Sequence, residues 1–463
     1  MSLLQFGGVT LAFFVLAAQA APAPYPSTYQ SPSSTPVLIR NATVLDGAGR
    51  RLDGADVLIR DGKIVEVGTA LSQGDAATID AKGRWVTPGL IDVHSHLGVY
   101  ASPGINATQD GNEATDPVTA GVWAEHSVWP QDPGFATALA GGVTTLQVLP
   151  GSANLIGGRG VTLRNVPATT YQAMKFPGAP QGLKMACGEN PKRVYGERKQ
   201  APSTRMGNVA SYRQAFADAE DYQHQWQKYE TELAAYEKKK EKDRDPAERP
   251  VPPKRDLRLD TLVAAMQGQV QVQIHCYRAD EMAVMLDLAR EYHFKIAAFH
   301  HGVEAYKIAD RLAQEGVCGA LWADWWGFKL EAYDGIWENL AYVDAPKNGC
   351  AIVHSDSEEG IQRLNQEAAK AMSRGQRAGL DIPPERAIRW ITSNAAKALG
   401  IAGQVGTLEP GKIADVVVWN RDPFSVYALP DLVYIDGALA FDRHHPPVTP
   451  RSDFLLGQPG VAQ

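Results

Sequence analysis

Two histidines one residue apart, His94 and His96, close the short apolar run Leu90-Ile91-Asp92-Val93. Residues i and i+2 of a strand face the same side, so these two imidazoles can hold one metal ion together. Three further runs end in the same way. Val270-Gln271-Val272-Gln273-Ile274 alternates with period two and ends in His275. Lys295-Ile296-Ala297-Ala298-Phe299 ends in His300-His301-Gly302, and Cys350-Ala351-Ile352-Val353 ends in His354-Ser355-Asp356. A core histidine with satisfied hydrogen bonds explains any one of these positions. It explains poorly four strand-like runs that all terminate in His or Asp. Neutral imidazoles with carboxylates suit Zn²⁺, and Mn²⁺, Fe²⁺ or Co²⁺ can take the same ligands. Such an ion lowers the pKa of bound water from about 15.7 to about 7, which makes a nucleophile available at neutral pH.

These endings must be gathered by the elements that carry them. Between residues 89 and 404, apolar strand-like runs alternate with helical stretches, the pattern of a parallel α/β architecture. In a parallel barrel every strand C-terminus opens on one face. The two ends of the chain read differently. Val37-Leu38-Ile39, Thr43-Val44-Leu45, Asp56-Val57-Leu58-Ile59 and Lys63-Ile64-Val65-Glu66-Val67 are short strand candidates punctuated by glycines, with Asp61-Gly62 a hairpin signal. Ala414 to Trp419 and Val433 to Leu439 repeat that pattern. The expected arrangement is an α/β barrel over 89–404 interrupting one β-sandwich built from 37–88 and 405–445. Of the 463 residues, 45 are Lys or Arg and 52 Asp or Glu, a net charge of −7. A mildly acidic chain lacks the positive footprint that nucleic acid or an anionic membrane requires. The four cysteines lack the Cys-x-x-Cys spacing of a structural zinc site and are expected as buried free thiols, with a Cys318–Cys350 pair as the alternative.

Thr87-Pro88-Gly89-Leu90-Ile91-Asp92-Val93-His94-Ser95-His96 resembles the first-strand motif of the amidohydrolase superfamily. Thr392-Ser393-Asn394-Ala395-Ala396-Lys397-Ala398-Leu399-Gly400 and Gly406-Thr407-Leu408-Glu409-Pro410-Gly411-Lys412-Ile413-Ala414-Asp415 resemble its closing motifs. The resemblance runs from about Val37 to about Phe441, and its branch is similar to the imidazolonepropionase-related hydrolases, which include dipeptidases. It implies a distorted (β/α)8 TIM barrel with a terminal β-sandwich, and metal-dependent hydrolysis of an amide, peptide-like or cyclic-amide C–N bond. N-acetyl deacetylation, lactone hydrolysis and a non-catalytic metal-containing binding protein are the alternatives. His94 and His96 match the first-strand ligands, His275 the fifth, and His301, ahead of Gly302, the sixth. Asp356 matches the eighth-strand acid that touches metal and handles the proton of the attacking water. His354 and His300 are candidates to stabilise the oxyanion or to orient a ligand. Many binuclear members carry a carboxylated lysine on the fourth strand. Aligned on Met185-Ala186, the run Leu183-Lys184-Met185-Ala186-Cys187-Gly188-Glu189 puts Leu183 at that position, so Glu189 is preferred over Lys184 as the remaining ligand of one or two ions.

Substrate contacts are expected from two loops. Ser152, Asn154 and Arg159 lie in the Gly-rich segment 151–160, which lacks the Gly-Lys-Ser/Thr of a nucleotide loop. Arg193 and Tyr195 follow Glu189 closely, and an Arg fork suits a carboxylate on a small-molecule or peptide-like substrate. Trp322, Trp325 and Trp326 line the pocket mouth or pack in the core. Residues 205–258 look like a helical, charged insertion with an aromatic stripe. It is a packed arm, a lid or the contact of a homo-oligomer. Val9 to Ala18 is apolar but about half as long as a membrane span, and Ala18-Gln19-Ala20 has the small-x-small form of a signal-peptidase site. Residues 1–20 are therefore read as a signal peptide and 21–36 as a poorly ordered lead-in. The mature chain is expected in the periplasm or medium, with no membrane span.

Overall fold

The computed structural model describes residues 25–445; the expected signal segment 1–20 lies outside them, as do residues 21–24. Residues 25–36 carry no helix or strand, but they are not loose. Thr28 N–H donates to the Gln172 carbonyl at 3.0 Å, Ser27 Oγ to the Lys175 carbonyl at 2.6 Å, and the Tyr29 hydroxyl to Asp436. The lead-in expected to be poorly ordered is an extended strap from Tyr25 onward. Its polar side chains anchor it despite a composition that favours no regular element.

The first five strands, β1 (Val37–Leu45), β2 (Arg51–Arg60), β3 (Lys63–Gly68), β4 (Ala77–Asp80) and β5 (Trp85–Pro88), precede the barrel. The barrel strands are β6 (Leu90–Ser95), β7 (Val143–Val148), β8 (Ile156–Arg164), β9 (Gly182–Ala186), β10 (Gln271–Cys276), β11 (Ile296–His301), β12 (Cys318–Leu321) and β13 (Ala351–Val353). After it come β14 (Val416–Trp419), β15 (Pro430–Ile435) and β16 (Ala438–Asp442). β14 pairs antiparallel with β5, so the two ends of the chain form one eight-stranded sheet. Ile39, Val44, Val57, Val86, Val416 and Val418 are its fully buried core.

β6 to β13 follow one another in order around the second sheet. Its two edges meet where Asp356 N–H donates to the His94 carbonyl at 3.0 Å and the Ser355 hydroxyl donates to the Asp92 carboxylate. One strand departs from the parallel pattern: β8 runs antiparallel to both β7 and β9. Gly157-Gly158-Arg159-Gly160, read as loop from its glycines, lies inside this strand. At Gly158 φ is +117°, and a Cβ there would meet the Val122 carbonyl oxygen at 2.3 Å. The glycine serves a close backbone crossing, and no open loop is needed to explain it.

Side-chain alternation sorts the barrel into two faces. Leu183, Met185, Val272 and Ile274 join the apolar layer shared with the surrounding helices, which turns Lys184, Gln273 and His275 inward. Both cysteine pairs are disulfides, Cys187–Cys276 and Cys318–Cys350, with Cα atoms 5.2 and 4.6 Å apart. The free-thiol expectation therefore fails, because parallel register brings neighbouring strand ends within bridging distance. Arg164, fully buried, locks the two sheets together by pairing with Asp415 at 2.6 Å and Asp436 at 3.1 Å. The insertion forms one 34-residue helix, Arg205–Lys238. Its first half packs on the barrel: Tyr212 hydroxyl donates to the Leu155 and Ala186 carbonyls, and Asn208 Nδ2 to the Gly188 carbonyl. Among the described residues no helix is long and apolar enough to cross a membrane.

Candidate metal centre

The strand endings converge. His96 Nε2 lies 3.0 Å and His94 Nε2 3.4 Å from one oxygen of Asp356, and His301 Nε2 lies 3.8 Å from the other. Ligand atoms of His94, His96 and Asp356 lie within 4.8 Å of one another, and so do those of His94, His301 and His354. His275 stands beside them, its ring 4.6 Å from that of His301. His301 at φ +70° and Asp356 at φ +49° occupy the left-handed region that non-glycine residues rarely adopt. Backbone strain of this kind persists where the surrounding structure imposes it, and here it aims both side chains inward.

A hydrogen-bond chain fixes the tautomer of His94. Gln273 Nε2 donates to the Ala398 carbonyl at 3.1 Å, so its Oε1 must face His300 Nε2, 2.8 Å away, and accept from it. The other nitrogen of His300 then carries a lone pair and accepts from His94 Nδ1–H at 2.9 Å. That leaves a lone pair on His94 Nε2, facing Asp356. His96 reaches the same state by donating from Nδ1 to the Leu149 carbonyl at 2.8 Å. Burial drives the pKa of His94, His275, His300 and His301 far below the ordinary value, and that of His354 down to about 3, so all are neutral. Burial opposes ionisation of Asp356, but the polar groups around it, His96 foremost, outweigh burial and hold the carboxyl below its usual range.

This donor set fits a divalent cation. Two imidazole lone pairs and a carboxylate oxygen, acceptors all, point at one place. Both ring nitrogens of His275 and of His354, and Nδ1 of His301, are buried with no hydrogen-bond partner. Such a group costs about 1–3 kcal/mol when left unpaired, and an ion in the cluster could take one nitrogen from each of these three rings.

The structure places Lys184, and not Glu189, beside the histidines. Lys184 is fully buried, its Nζ 3.0 Å from His94 Nε2, and burial lowers its pKa to about 8. Glu189 has left the strand. Gly188, at φ +75°, turns the chain into the helix Glu189–Glu197, and the Glu189 N–H donates to the Glu331 carboxylate at 2.9 Å. No described contact joins the Glu189 carboxylate to the histidines. The alternation of Leu183, Met185 and Cys187 as apolar positions was the sequence signal that placed Lys184 inside, and alignment on Met185-Ala186 overrode it.

The substrate candidates fare less well. Asn154 is buried and spends its Nδ2 on the Glu113 and Asp116 carbonyls and Thr119. Arg159 is committed to Thr261 and Gln181 and lies over the Trp123 ring. Tyr195 is fully buried, its hydroxyl on the Asp116 carbonyl. These three are structural ties, because the turn before β8, β8 itself and the helix 189–197 point them into packing layers. His300 is fully buried and spends its two ring nitrogens on His94 and Gln273. Ser152 is half-buried and Arg193 exposed. Gln273 and Tyr277, whose ring is 4.7 Å from His275, belong to the site and carried no sequence signal beyond their place at a strand end. Trp322 does line it, stacked on His301 with ring centroids 4.2 Å apart.

Known proteins resemble this chain in sequence and fold. The crystal structure of an amidohydrolase from Thermotoga maritima MSB8 is 35% identical, superposes with a TM-score of 0.76, and aligns over 100% of its chain and 88% of this one. The chain belongs to the amidohydrolase family. The amidohydrolase family model itself matches residues 345–441, the stretch that carries Asp356 and the last strands. Amidohydrolase tasK of Hapsidospora irregularis is 32% identical over 449 residues, 89% of this chain but 44% of its own length. A dihydroorotase of Syntrophotalea carbinolica is 44% identical over 85 residues, 18% of this chain and 19% of that enzyme. The chain thus spans less than half the length of these curated relatives. Members of the amidohydrolase family are metal-dependent hydrolases, as the His cluster here would require.

Proposed function

We propose that this amidohydrolase cleaves a C–N bond of an amide, peptide-like or cyclic-amide substrate. The observation that carries the reading is the convergence of His94, His96, Lys184, His275, His301 and Asp356 on one barrel mouth, with ring nitrogens no protein group satisfies. His94, His96, His275, His301 and Asp356 would hold the metal, and Zn²⁺ best suits their imidazole and carboxylate donors. Lys184, with a pKa brought down to about 8, has an amine able to take up CO2 as a carbamate and serve as the remaining ligand. A bound divalent ion polarises the scissile carbonyl and acidifies water. Asp356, ionised at neutral pH, accepts the water proton on a carboxylate oxygen and returns it to the leaving nitrogen. His354, neutral, offers a single N–H to the oxyanion or a lone pair to the ion. The two disulfides support an oxidising destination, the periplasm or medium.

Elemental analysis of the purified chain beside turnover on N-acyl amino acids, dipeptides and cyclic amides tests the reading. Metal bound in stoichiometric amount, with turnover lost on chelation and restored on reloading, is the expected result. Asp356→Asn is expected to keep its fold while turnover falls by about 10²–10⁴-fold. Metal without turnover on any C–N, ester or lactone substrate would instead favour a binding protein.

A further inference from the structure

The loop after β12 builds an aromatic shelf that the reaction itself does not require. Trp322 stacks on His301, Trp325 leans on Trp322 at 4.7 Å with the rings tilted by 52°, and Phe328 on Trp325 at 5.4 Å with a tilt of 43°. Phe328 also meets Tyr277 edge-on at 6.1 Å. The rings lead without a break from a metal-centre histidine to solvent, where Trp325 and Phe328 are each 48% exposed. Large apolar rings left open beside a site mark a place a ligand covers. The shelf is held in place. Glu331, on the same loop, accepts from Arg205 at 2.7 Å and from the Glu189 N–H, and Arg205 also pairs with Glu281 at 2.8 Å.

Lys329 supplies the charge. Its Nζ sits 4.3 Å over the Tyr277 ring and donates to Asn190 Oδ1 at 2.8 Å. Glu331, already committed to Arg205 and the Glu189 N–H, stands off at 3.8 Å. Beside the 3.8 Å ion pair with Glu331, which is too long for a hydrogen bond, the ammonium spends one of its three donors on Asn190 and faces the Tyr277 ring, which leaves donor capacity for an anion.

We propose that this shelf is a substrate subsite that stacks an aromatic ring on Trp322, Trp325 and Phe328 and pairs a carboxylate on the same substrate group with Lys329. The inference rests on the hydrolase reading above and narrows its substrates to aryl-bearing carboxylic acids, such as peptide-like compounds with an aromatic residue. Stacking supplies affinity and the ammonium supplies orientation, which places the neighbouring C–N bond toward Asp356.

The test is calorimetric titration of the metal-loaded chain with 3-phenylpropanoate, 3-phenylpropanamide and butanoate. The phenyl acid is expected to bind about tenfold tighter than either companion. Trp325→Ala is expected to cost the phenyl acid about tenfold and leave butanoate unchanged, with Trp325→Phe recovering most of the loss. Lys329→Met is expected to remove the preference for acid over amide. Equal affinity for the phenyl acid and butanoate, no binding of the phenyl acid at millimolar concentration, or preferences that survive both substitutions would overturn the subsite. The titration needs no turnover, so the two failures separate. A failed hydrolase reading shows as absent metal or absent turnover, and a failed subsite as ring-blind binding by a metal-loaded, active chain.

Discussion

Gln273→Leu is a substitution that touches no candidate ligand and is expected to weaken metal binding. The wild-type amide is oriented by its donation to the Ala398 carbonyl, and that orientation dictates the protons of His300 and then of His94. Leucine fills much of the same volume and removes the acceptor. The His300 Nε2 proton is then buried without a partner, at a cost of about 1–3 kcal/mol. The ring can relieve that cost by moving its proton to Nδ1. His94 must then accept on Nδ1 and carry its own proton on Nε2, the atom that faces Asp356. Either way the ligand lone pair is compromised. Loss of a partner that orients a metal ligand costs about 10–100-fold in affinity, or about 1.4–2.7 kcal/mol. Competition between the metal-free variant and a chelating dye for Zn²⁺ measures this directly, and urea unfolding of the same preparation measures the stability term. A variant that loses stability yet binds Zn²⁺ as tightly as the wild type would refute the tautomer chain.

Three further outcomes follow from the geometry. Lys184→Met is expected to lower the metal content of the purified chain while Glu189→Ala leaves it unchanged, as elemental analysis of the pair would show; the reverse pattern would restore Glu189 as the ligand. Arg164→Met leaves Asp415 and Asp436 buried without their cation, and equilibrium unfolding should show a loss of about 3–5 kcal/mol; a loss under 1 kcal/mol would mean that the junction between the sheets is held elsewhere. Burial, with Glu331 beside it, raises the Glu281 carboxyl to about 7. The folded chain therefore holds that proton more tightly than the unfolded chain, so Glu281 contributes stability that is fully present below its unfolded value of 4.5 and lost as pH rises through about 7. Glu281→Gln should flatten the fall in stability between pH 5 and 8, and an unchanged slope would remove Glu281 as its source.

Much of this protein is legible in its sequence, because its candidate ligands sit at strand ends and strand ends announce themselves. An apolar run of four or five residues that stops at His or Asp is a local signal, so the endings His94-Ser95-His96, His275, His300-His301 and His354-Ser355-Asp356 could each be named from their neighbours, while the family resemblance singled out His301 and Asp356 within theirs. The two-part architecture was legible for the same reason: glycine-spaced short strands at both ends, alternating elements between. What could not be read locally is anything that depends on which strand lies beside which. The reversal of β8 turned an expected loop into a sheet strand and committed Arg159 to packing. Lys184 and Glu189 are five residues apart and both chemically suited to a metal. Which of them stands beside the histidines was decided by the inward face of β9 in register with Gln273 and His275, and by the turn at Gly188 that ends the strand. The disulfides likewise join residues 89 and 32 positions apart, and only parallel register brings them together. The sequence by itself determined which residues could bind a metal, since donor chemistry and strand periodicity are properties of a few adjacent positions. The tertiary structure decided which of them do converge and which proton each carries, because register, burial and hydrogen-bond partners come from chain segments far apart in sequence.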